Sequence, residues 1–269
     1  MLILCLCLTL HLTQIFAQYA PEELAERPKW EDFLKTAEIT SWKEMGSGVT
    51  KPLCLYLKKG DLENKGIWKN PKGMKGGFLE GWQYEIAAYE MDKLLDLNMI
   101  PPTVEKNFEG KRGSLQLWAA HEHSLLEIMQ NKIPLPSGNP ELDRFNKSKY
   151  LARAFDSLIG NEDRTQENIF YTKDWQMILI DHSRSFRSSK KFTKQLMFGK
   201  NGIRGNQPFR QLPNAFVEKI KALDFETIKS AVGPYLEDKE IKAILTRKEL
   251  LVKEIEEMIK EKGENKVLY

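Results

Sequence analysis

Two hydrophobic periodicities divide the chain. Residues 38–60, Gly66–Lys69 and Ser114–Ala119 are short runs rich in β-branched and aromatic residues, and runs of this kind between turn residues predict β-strands. Residues 81–97 carry apolar positions at helical spacing instead, which predicts one helix among the strands. The first half is therefore predicted to be an antiparallel sheet with one helix.

The second half is predicted to be mainly helical. Residues 214–269 carry two or three amphipathic helices, and Gly233-Pro234 separates their apolar stripes. We therefore expect an α+β fold with two lobes. The predicted organisation is a leader at residues 1–17, a helical arm at 18–36 docked through Trp30 and Phe33, an N-lobe at 37–120 and a C-lobe at 121–269.

The first 17 residues are almost continuously apolar and end at the small residue Ala17, as in a secretory signal peptide. A membrane-spanning helix needs about 20 apolar residues, so we predict no stable transmembrane span. Cleavage of the leader would make the protein periplasmic or secreted. Because the leader lacks Lys and Arg at its start, a membrane-anchored or a cytoplasmic protein remains the alternative.

Composition places few further limits on the class of protein. The chain has 269 residues, a net charge of +3 and three cysteines, of which only Cys54 lies beyond the leader. A chain of this length can bury its own core. The mature protein is predicted to need no internal disulfide.

Candidate chemistry concentrates in residues 159–186. Asp163 is followed by Asn168, a short apolar strand, a turn, a second strand and then Asp181. Phosphoryl transfer needs a carboxylate near the attacking hydroxyl and oxygen ligands that hold Mg²⁺ on the phosphates. The order of these three residues is that of the catalytic loop and the metal-binding aspartate of protein kinases. Aspartates before turns and at strand ends also occur by coincidence in many α/β proteins.

A lysine on an apolar strand is costly to bury unless its charge is paired. Lys69 ends such a strand, and Glu85 lies in the first turn of the predicted helix. Glu85 is predicted either to pair with Lys69 or to be a solvated acid stabilised by the helix dipole. The turn Gly46-Ser47-Gly48 is either a loop over the phosphates of a nucleotide or an ordinary hairpin turn.

Together these motifs resemble those of the atypical kinase superfamily that contains phosphoinositide kinases, HipA-type kinases and secretory-pathway kinases of proteins and proteoglycan sugars. The resemblance covers most of residues 40–186. It is carried by YEIAAYEMDKLLDLNMIPPTV, GSLQLWA, GNEDRTQEN and IDHSRSF. Since the eukaryotic secretory members are rich in disulfides, the chain looks closer to bacterial relatives.

The resemblance implies a two-lobed protein-kinase-like fold that binds ATP with Mg²⁺ or Mn²⁺. Lys69 and Glu85 would form the ion pair that positions the nucleotide, and Asp163 would be the catalytic base. Asn168 and Asp181 would bind the metal ion. A hinge near residues 117–120 would bring Gln116 and Leu117, like residues 46–48, against the nucleotide.

The resemblance thus implies a kinase that phosphorylates a hydroxyl group of a protein, a lipid headgroup or a glycan. Two departures from the family pattern favour an alternative, a weak or inactive pseudokinase that binds nucleotide or a partner. Thr165 stands where the family has histidine, and the glycine that the family has after the metal-binding aspartate is replaced in His182-Ser183. A third interpretation is transfer of AMP instead of phosphate.

The basic segment, defined as residues 182–217, contains no Asp or Glu. We expect it either to attract an anionic acceptor, such as an acidic protein, a phosphorylated lipid or a glycan, or to be a solvated loop. The pattern disfavours nucleic acid, because the basic residues are not interleaved with aromatics suited to stacking. Asp156, just before the catalytic stretch, is predicted to be either an acid on a helix surface or a support for the loop, and the surface acid is favoured. The cations of the basic segment are Arg184, Arg187, Lys190, Lys191, Lys194, Lys200, Arg204 and Arg210.

Overall fold

The computed structural model of the protein describes residues 25–46 and 51–269. Within these residues the protein is an α+β structure whose strands pair in antiparallel fashion inside each sheet. The predicted leader, the first part of the helical arm and the residues Ser47 and Gly48 lie outside the described residues.

The strands in chain order are β1 (Glu38–Glu44), β2 (Leu53–Lys59), β3 (Leu62–Lys69), β4 (Lys72–Lys75), β5 (Phe78–Gly81), β6 (Thr103–Phe108), β7 (Lys111–Leu117), β8 (His123–Ser124), β9 (Ile169–Tyr171), β10 (Met177–Leu179), β11 (Gly199–Gly202) and β12 (Gly205–Gln207). The helices are α1 (Arg27–Thr36), α2 (Gln83–Leu94), α3 (Leu125–Gln130), α4 (Asn139–Ile159), α5 (Lys190–Lys194), α6 (Asn214–Ala222), α7 (Phe225–Val232), α8 (Asp238–Lys262) and α9 (Glu264–Val267).

The largest sheet of the described chain has five strands in the order β1-β2-β3-β7-β6. Alternating apolar residues bury one of its faces, and Phe33 and Leu34 of α1 pack against that face together with Leu55, Trp68 and Leu115. The period of two places successive side chains on opposite faces. The docking of the arm through Phe33 and the strand-rich first half are therefore confirmed.

Helix α2 connects the sheet to the rest of the molecule. Its side chains Ala87, Met91 and Leu95 at the helix end do not join the small core under the sheet but belong to a second, larger core. The carboxyl-terminal helices and α4 contribute most of that larger core. The predicted helix thus exists, and its apolar stripe faces the helical half of the protein.

Three features of α4 and the residues after it determine where the candidate site lies. The helix ends at Gly160, which has a φ of 63°, a left-handed conformation that suits glycine at a helix end. The chain then crosses to the hairpin of β9 and β10, in which Ile169 pairs with Leu179. Because Asn168 precedes β9 and Asp181 closely follows β10, both residues lie at the same end of the hairpin.

The carboxyl-terminal segment forms α6, α7, α8 and α9, which confirms the predicted helices and adds a short final one. None of the described helices combines the length and apolar character that crossing a bilayer requires. The phenylalanines of the basic segment are buried, so they anchor it in the core.

Candidate functional site

The site is built around Lys69, the last residue of β3. Its ammonium nitrogen Nζ donates to Glu85 Oε1 at 2.8 Å and to Asp181 Oδ1 at 3.0 Å. The side chains of Lys69, Glu85 and Asp181 are 12%, 3% and 33% exposed. The contact predicted between Lys69 and Glu85 is therefore present, and Glu85 is not a solvated acid.

The charges of this cluster stabilise one another. Burial alone would lower the pKa of Lys69, but the carboxylates of Asp181 and Glu85 raise it above its ordinary value. Burial alone would likewise raise the pKa of Glu85, but the ammonium of Lys69 and the side chain of His182 hold it well below its usual range. The backbone N–H of His182 also donates to Glu85 Oε2 at 2.9 Å. Lys69 and Glu85 are therefore both ionised near neutral pH.

Asp181 has a φ of 59°, a conformation that costs a non-glycine residue energy and that recurs at functional sites. Asp181 lies two residues beyond the end of β10, and its Oδ1 faces the ammonium group of Lys69. Ser183 Oγ also donates to this oxygen, at 3.3 Å.

Asn168 lies beside Asp181 because its backbone oxygen accepts from Ile180 N at 3.2 Å. Its amide nitrogen Nδ2 donates to the backbone oxygen of Asp163 at 3.2 Å. This hydrogen bond orients the amide so that its oxygen Oδ1 can accept a cation. The side chain therefore has the orientation that a metal ligand needs.

Asp181 and Asn168 together fit a metal ion that a phosphate ligand also holds. Mg²⁺ is usually bound through one or two carboxylates plus substrate phosphates. In the described parts of the chain, no group of three or more His, Cys, Asp or Glu side chains could hold a metal ion. Asp181 and Asn168 could thus supply two oxygen ligands, and the remaining ligands of such an ion would come from a bound molecule or water.

Asp163 is fixed by its neighbours on both sides. Its backbone N–H donates to Asn161 Oδ1 at 3.0 Å, and its carboxylate oxygen Oδ2 accepts from Arg184 Nη1 at 3.0 Å. Burial raises the pKa of Asp163, and the guanidinium of Arg184 opposes that rise. Because 35% of the side chain is exposed, the carboxylate can still meet a ligand.

Two residues of this arrangement were not predicted as site residues, although Arg184 lies within the IDHSRSF motif and the basic segment. Arg184 bridges Asp163 and Glu80, whose Oε1 accepts from the guanidinium nitrogens Nε at 2.9 Å and Nη2 at 2.7 Å. Glu80 is 2% exposed and belongs to β5, which is far from Arg184 in the chain. A glutamate in the apolar run Phe78-Leu79 before a helix was the one available signal.

A buried polar network centred on Arg164 holds the segment between α4 and β9 in place. Arg164 Nε donates to Asp156 Oδ2 at 2.9 Å, and Nη2 contacts His182 Nε2 at 2.8 Å. Asp156 is fully buried, so the favoured prediction of a surface acid is wrong, and the alternative, support for the loop, is the one that its contacts with Arg164 bear out. Its carboxylate is shielded by the end of α4, and it compensates the charge of Arg164.

The side chain of His182 lies in the protein interior and contacts Arg164. Its side chain is fully buried, and burial together with the charge of Arg164 lowers the pKa of its imidazole. Because the guanidinium can only donate, Nε2 must be the accepting nitrogen of a neutral ring. The imidazole of His182 therefore supplies a buried hydrogen-bond acceptor to Arg164.

The basic segment differs from its prediction. Arg184 pairs with Glu80 and Asp163, and Arg187 pairs with Glu162 at 2.5 Å. Lys200 pairs with Glu261 at 3.3 Å in an exposed position. Acids outside the segment thus compensate three of its cations. The absence of Asp and Glu within the segment therefore does not leave all eight of its cations uncompensated, and the remainder of the segment is considered below.

The residues predicted to contact the nucleotide from the sheet are Gln116 and Leu117 of β7 and the turn at residues 46–48. The backbone N–H groups of Leu117 and Trp118 donate to Pro102 O at 2.8 Å and to Lys65 O at 2.9 Å. Leu117 is therefore able to meet a ligand through its carbonyl group or side chain only. Gln116 Nε2 donates to Thr103 Oγ1 at 2.9 Å. Gly46 lies at the end of the described part of the β1–β2 connection, beyond which Ser47 and Gly48 are not described.

No protein-family model matches the chain, and the search of curated proteins returned no match. The arguments about function therefore rest on the residues and their geometry.

Proposed function

We propose that the protein is an ATP-dependent phosphotransferase with a two-lobed, protein-kinase-like architecture. The observation that carries the proposal is the position of Lys69, whose ammonium group joins Glu85 of α2 to Asp181 at the end of β10. A cation held in this way is preorganised to bind the phosphates of a nucleotide, since its direction is set before the ligand arrives.

Asp181 and Asn168 would hold Mg²⁺ or Mn²⁺ on the triphosphate, and the metal would neutralise charge that develops on the transferred group. Asp163 would accept the proton of the acceptor hydroxyl. Burial raises the pKa of this carboxyl, which favours a general base because proton transfer is most efficient when the pKa lies closer to the working pH. Lys69 would stay ionised and bind phosphate oxygens.

A second function, nucleotide binding without turnover, is favoured by one contact. Arg184 Nη1 donates to Asp163 Oδ2 at 3.0 Å, and a guanidinium on the base competes with an acceptor hydroxyl. In an active kinase this arginine would move to the transferred phosphate. In a pseudokinase it would stay on Asp163.

The experiment incubates purified protein with labelled ATP, Mg²⁺ or Mn²⁺, and a panel of phosphoinositides, glycans and acidic proteins. We expect transfer to at least one acceptor, and Asp163→Asn should lower its rate by about 10²- to 10⁴-fold because a general base is lost. Asp181→Asn should abolish it. The matched control is Asp61→Asn, which removes the same charge at an exposed turn and should leave the rate unchanged. Equal labelling by wild type and Asp181→Asn would refute the mechanism.

The compartment is tested separately. We propose export after cleavage of residues 1–17, and mass analysis of the mature amino terminus should find a chain that starts near residue 18. An intact leader would instead favour the membrane-anchored or cytoplasmic alternative.

A further inference from the structure

A cavity of about 650 Å³ lies between α4 and the segment that joins Asp163 to Asn168. Its volume is in the range typical of sites for small molecules, about 300–1,000 Å³. The walls of the cavity include Arg164 and Thr165 of that segment and the β11–β12 hairpin. Neither Lys69 nor Asp181 lines the cavity, so it is separate from the candidate site described above.

Three cationic side chains reach the cavity from two directions. Lys149 and Arg153 lie one helical turn apart on α4, and Arg204 lies in the turn between β11 and β12. Residues four positions apart are neighbours on one helix face. The guanidinium carbons of Arg153 and Arg204 lie 5.9 and 6.0 Å from the centroid of the same ring, that of Phe198. The cations therefore converge on one side of the cavity.

These charges are not compensated by the acids of the cavity wall. Arg153 Nη2 donates to Gln207 Oε1 at 2.8 Å, and a neutral amide orients the guanidinium without cancelling its charge. Arg204 Nη1 donates to the backbone oxygen of Glu162 at 2.9 Å. Within the described residues Lys149 forms no ion pair, and its Nζ lies 5.1 Å from the ring centroid of Tyr150.

Neither of the two acids that line the cavity forms an ion pair with Lys149, Arg153 or Arg204. Asp156 is occupied by Arg164 through both of its oxygens, and Glu167 is exposed. Burial and the like charges of Arg153 and Arg210 lower the pKa of Lys149. Like charges brought together on one helix face destabilise a protein unless an anion joins them.

The rest of the lining is apolar. Leu125, Leu126 and Ile169 are partly exposed in the lining, and Phe145 and Phe198 border it with 7% and 5% of their surface exposed. A ligand that fits both parts has an anionic group at one end and a flat or apolar body at the other. A phosphate group presents three terminal oxygens to donors from several directions, and guanidinium groups bind it in bidentate fashion.

We propose that this cavity binds an organic phosphate monoester, with the phosphate held by Lys149, Arg153 and Arg204 and the apolar body packed against Phe145 and Phe198. The inference does not depend on phosphoryl transfer, because binding needs neither ATP nor a metal ion. Of the eight cations of the basic segment, Arg204 is the one that lines this cavity.

The test titrates the full-length protein with naphthyl phosphate by calorimetry, with EDTA present and ATP absent. We expect saturable binding that Lys149→Gln and Arg153→Gln each weaken by about tenfold or more, since each removes a charge-assisted hydrogen bond. Naphthol and inorganic phosphate should each bind more weakly than naphthyl phosphate. The matched control is Lys194→Gln, an exposed lysine of the basic segment outside the cavity, which should bind like wild type.

Absence of saturable binding by wild type would overturn the proposal, and so would equal affinity of wild type and both cavity variants. A loss in Lys194→Gln as large as that in Arg153→Gln would also overturn it, because it would indicate attraction by net charge alone. Thermal melts without ligand should show Lys149→Gln to be as stable as wild type or more stable, since a like-charge contact is relieved.

A second arm identifies the source of the phosphate. Phosphatidylcholine vesicles that contain phosphatidic acid are sedimented with the protein. Vesicle binding that Arg153→Gln abolishes supports a lipid source, and naphthyl phosphate binding without vesicle binding supports a free phosphate ester.

Discussion

The ion pair between Lys69 and Glu85 allows a quantitative test of the cluster. In Lys69→Met the carboxylate of Glu85, 3% exposed, loses its ammonium partner, and in Glu85→Gln the lysine keeps only Asp181. Removal of one partner from a buried pair costs about 3–5 kcal/mol because the other charge remains uncompensated. The double variant leaves neither charge of this pair alone, so it should be less destabilised than the sum of the single variants.

We expect a coupling energy of about 2–3 kcal/mol for this pair, measured by urea denaturation of the four proteins at neutral pH. The control cycle is Lys58→Met with Glu63→Gln on the same sheet. That pair is also in contact, at 2.6 Å, but its side chains are 50% and 67% exposed. Solvent and salt screen such a pair, so its coupling should be much weaker than that between Lys69 and Glu85. Equal coupling in the two cycles would refute the described environment of Lys69.

Three further predictions concern stability and turnover. Burial raises the pKa of Asp92 from 3.8 to about 6, so the stabilisation from its protonated form is complete below about pH 4 and is lost as the pH rises through about 6. Asp92→Asn should therefore gain about 3 kcal/mol relative to wild type between these limits in urea titrations, and a difference independent of pH would contradict the burial. His182→Gly should cost about 3 kcal/mol in the same assay because Arg164 loses an acceptor and a cavity opens; Thr165→His, at a partly exposed position, should change stability by less than about 1 kcal/mol, and equal effects would contradict the network. Arg184→Gln should lower the rate of phosphoryl transfer if the arginine reaches the transferred phosphate and raise it if the arginine only blocks Asp163, and an unchanged rate would show that it does neither.

Local spacing accounts for two predicted placements that the structure shows, namely Asn168 and Asp181 at one end of a hairpin and Lys69 in contact with Glu85. Asn168 and Asp181 flank one hairpin, so their position at a common end follows from the strand pattern and the turn between the strands. Lys69 was identifiable because a lysine at the end of an apolar strand needs a partner. Its pairing with Glu85 required only that the next helix pack beside that strand.

Contacts between distant residues account for the rest. Glu80 and Arg184 are 104 positions apart, and no local pattern indicates that they meet. Asp156 has the spacing of a helix-surface acid, and only tertiary packing buries it. The basic segment contains no acid of its own, but acids outside residues 182–217, such as Glu162, pair with its arginines in the folded protein. The sequence of the segment alone does not indicate these pairs.

The central claim is that Asp181 holds a metal ion on a nucleotide whose phosphates face Lys69. The most direct test is calorimetric titration of ATP into wild type and Asp181→Asn, each with and without Mg²⁺. We predict that Mg²⁺ strengthens ATP binding to wild type by about tenfold or more, as expected for a charged ligand of the metal, and has little effect on binding to Asp181→Asn. The same dependence on Mg²⁺ in both proteins would contradict the claim.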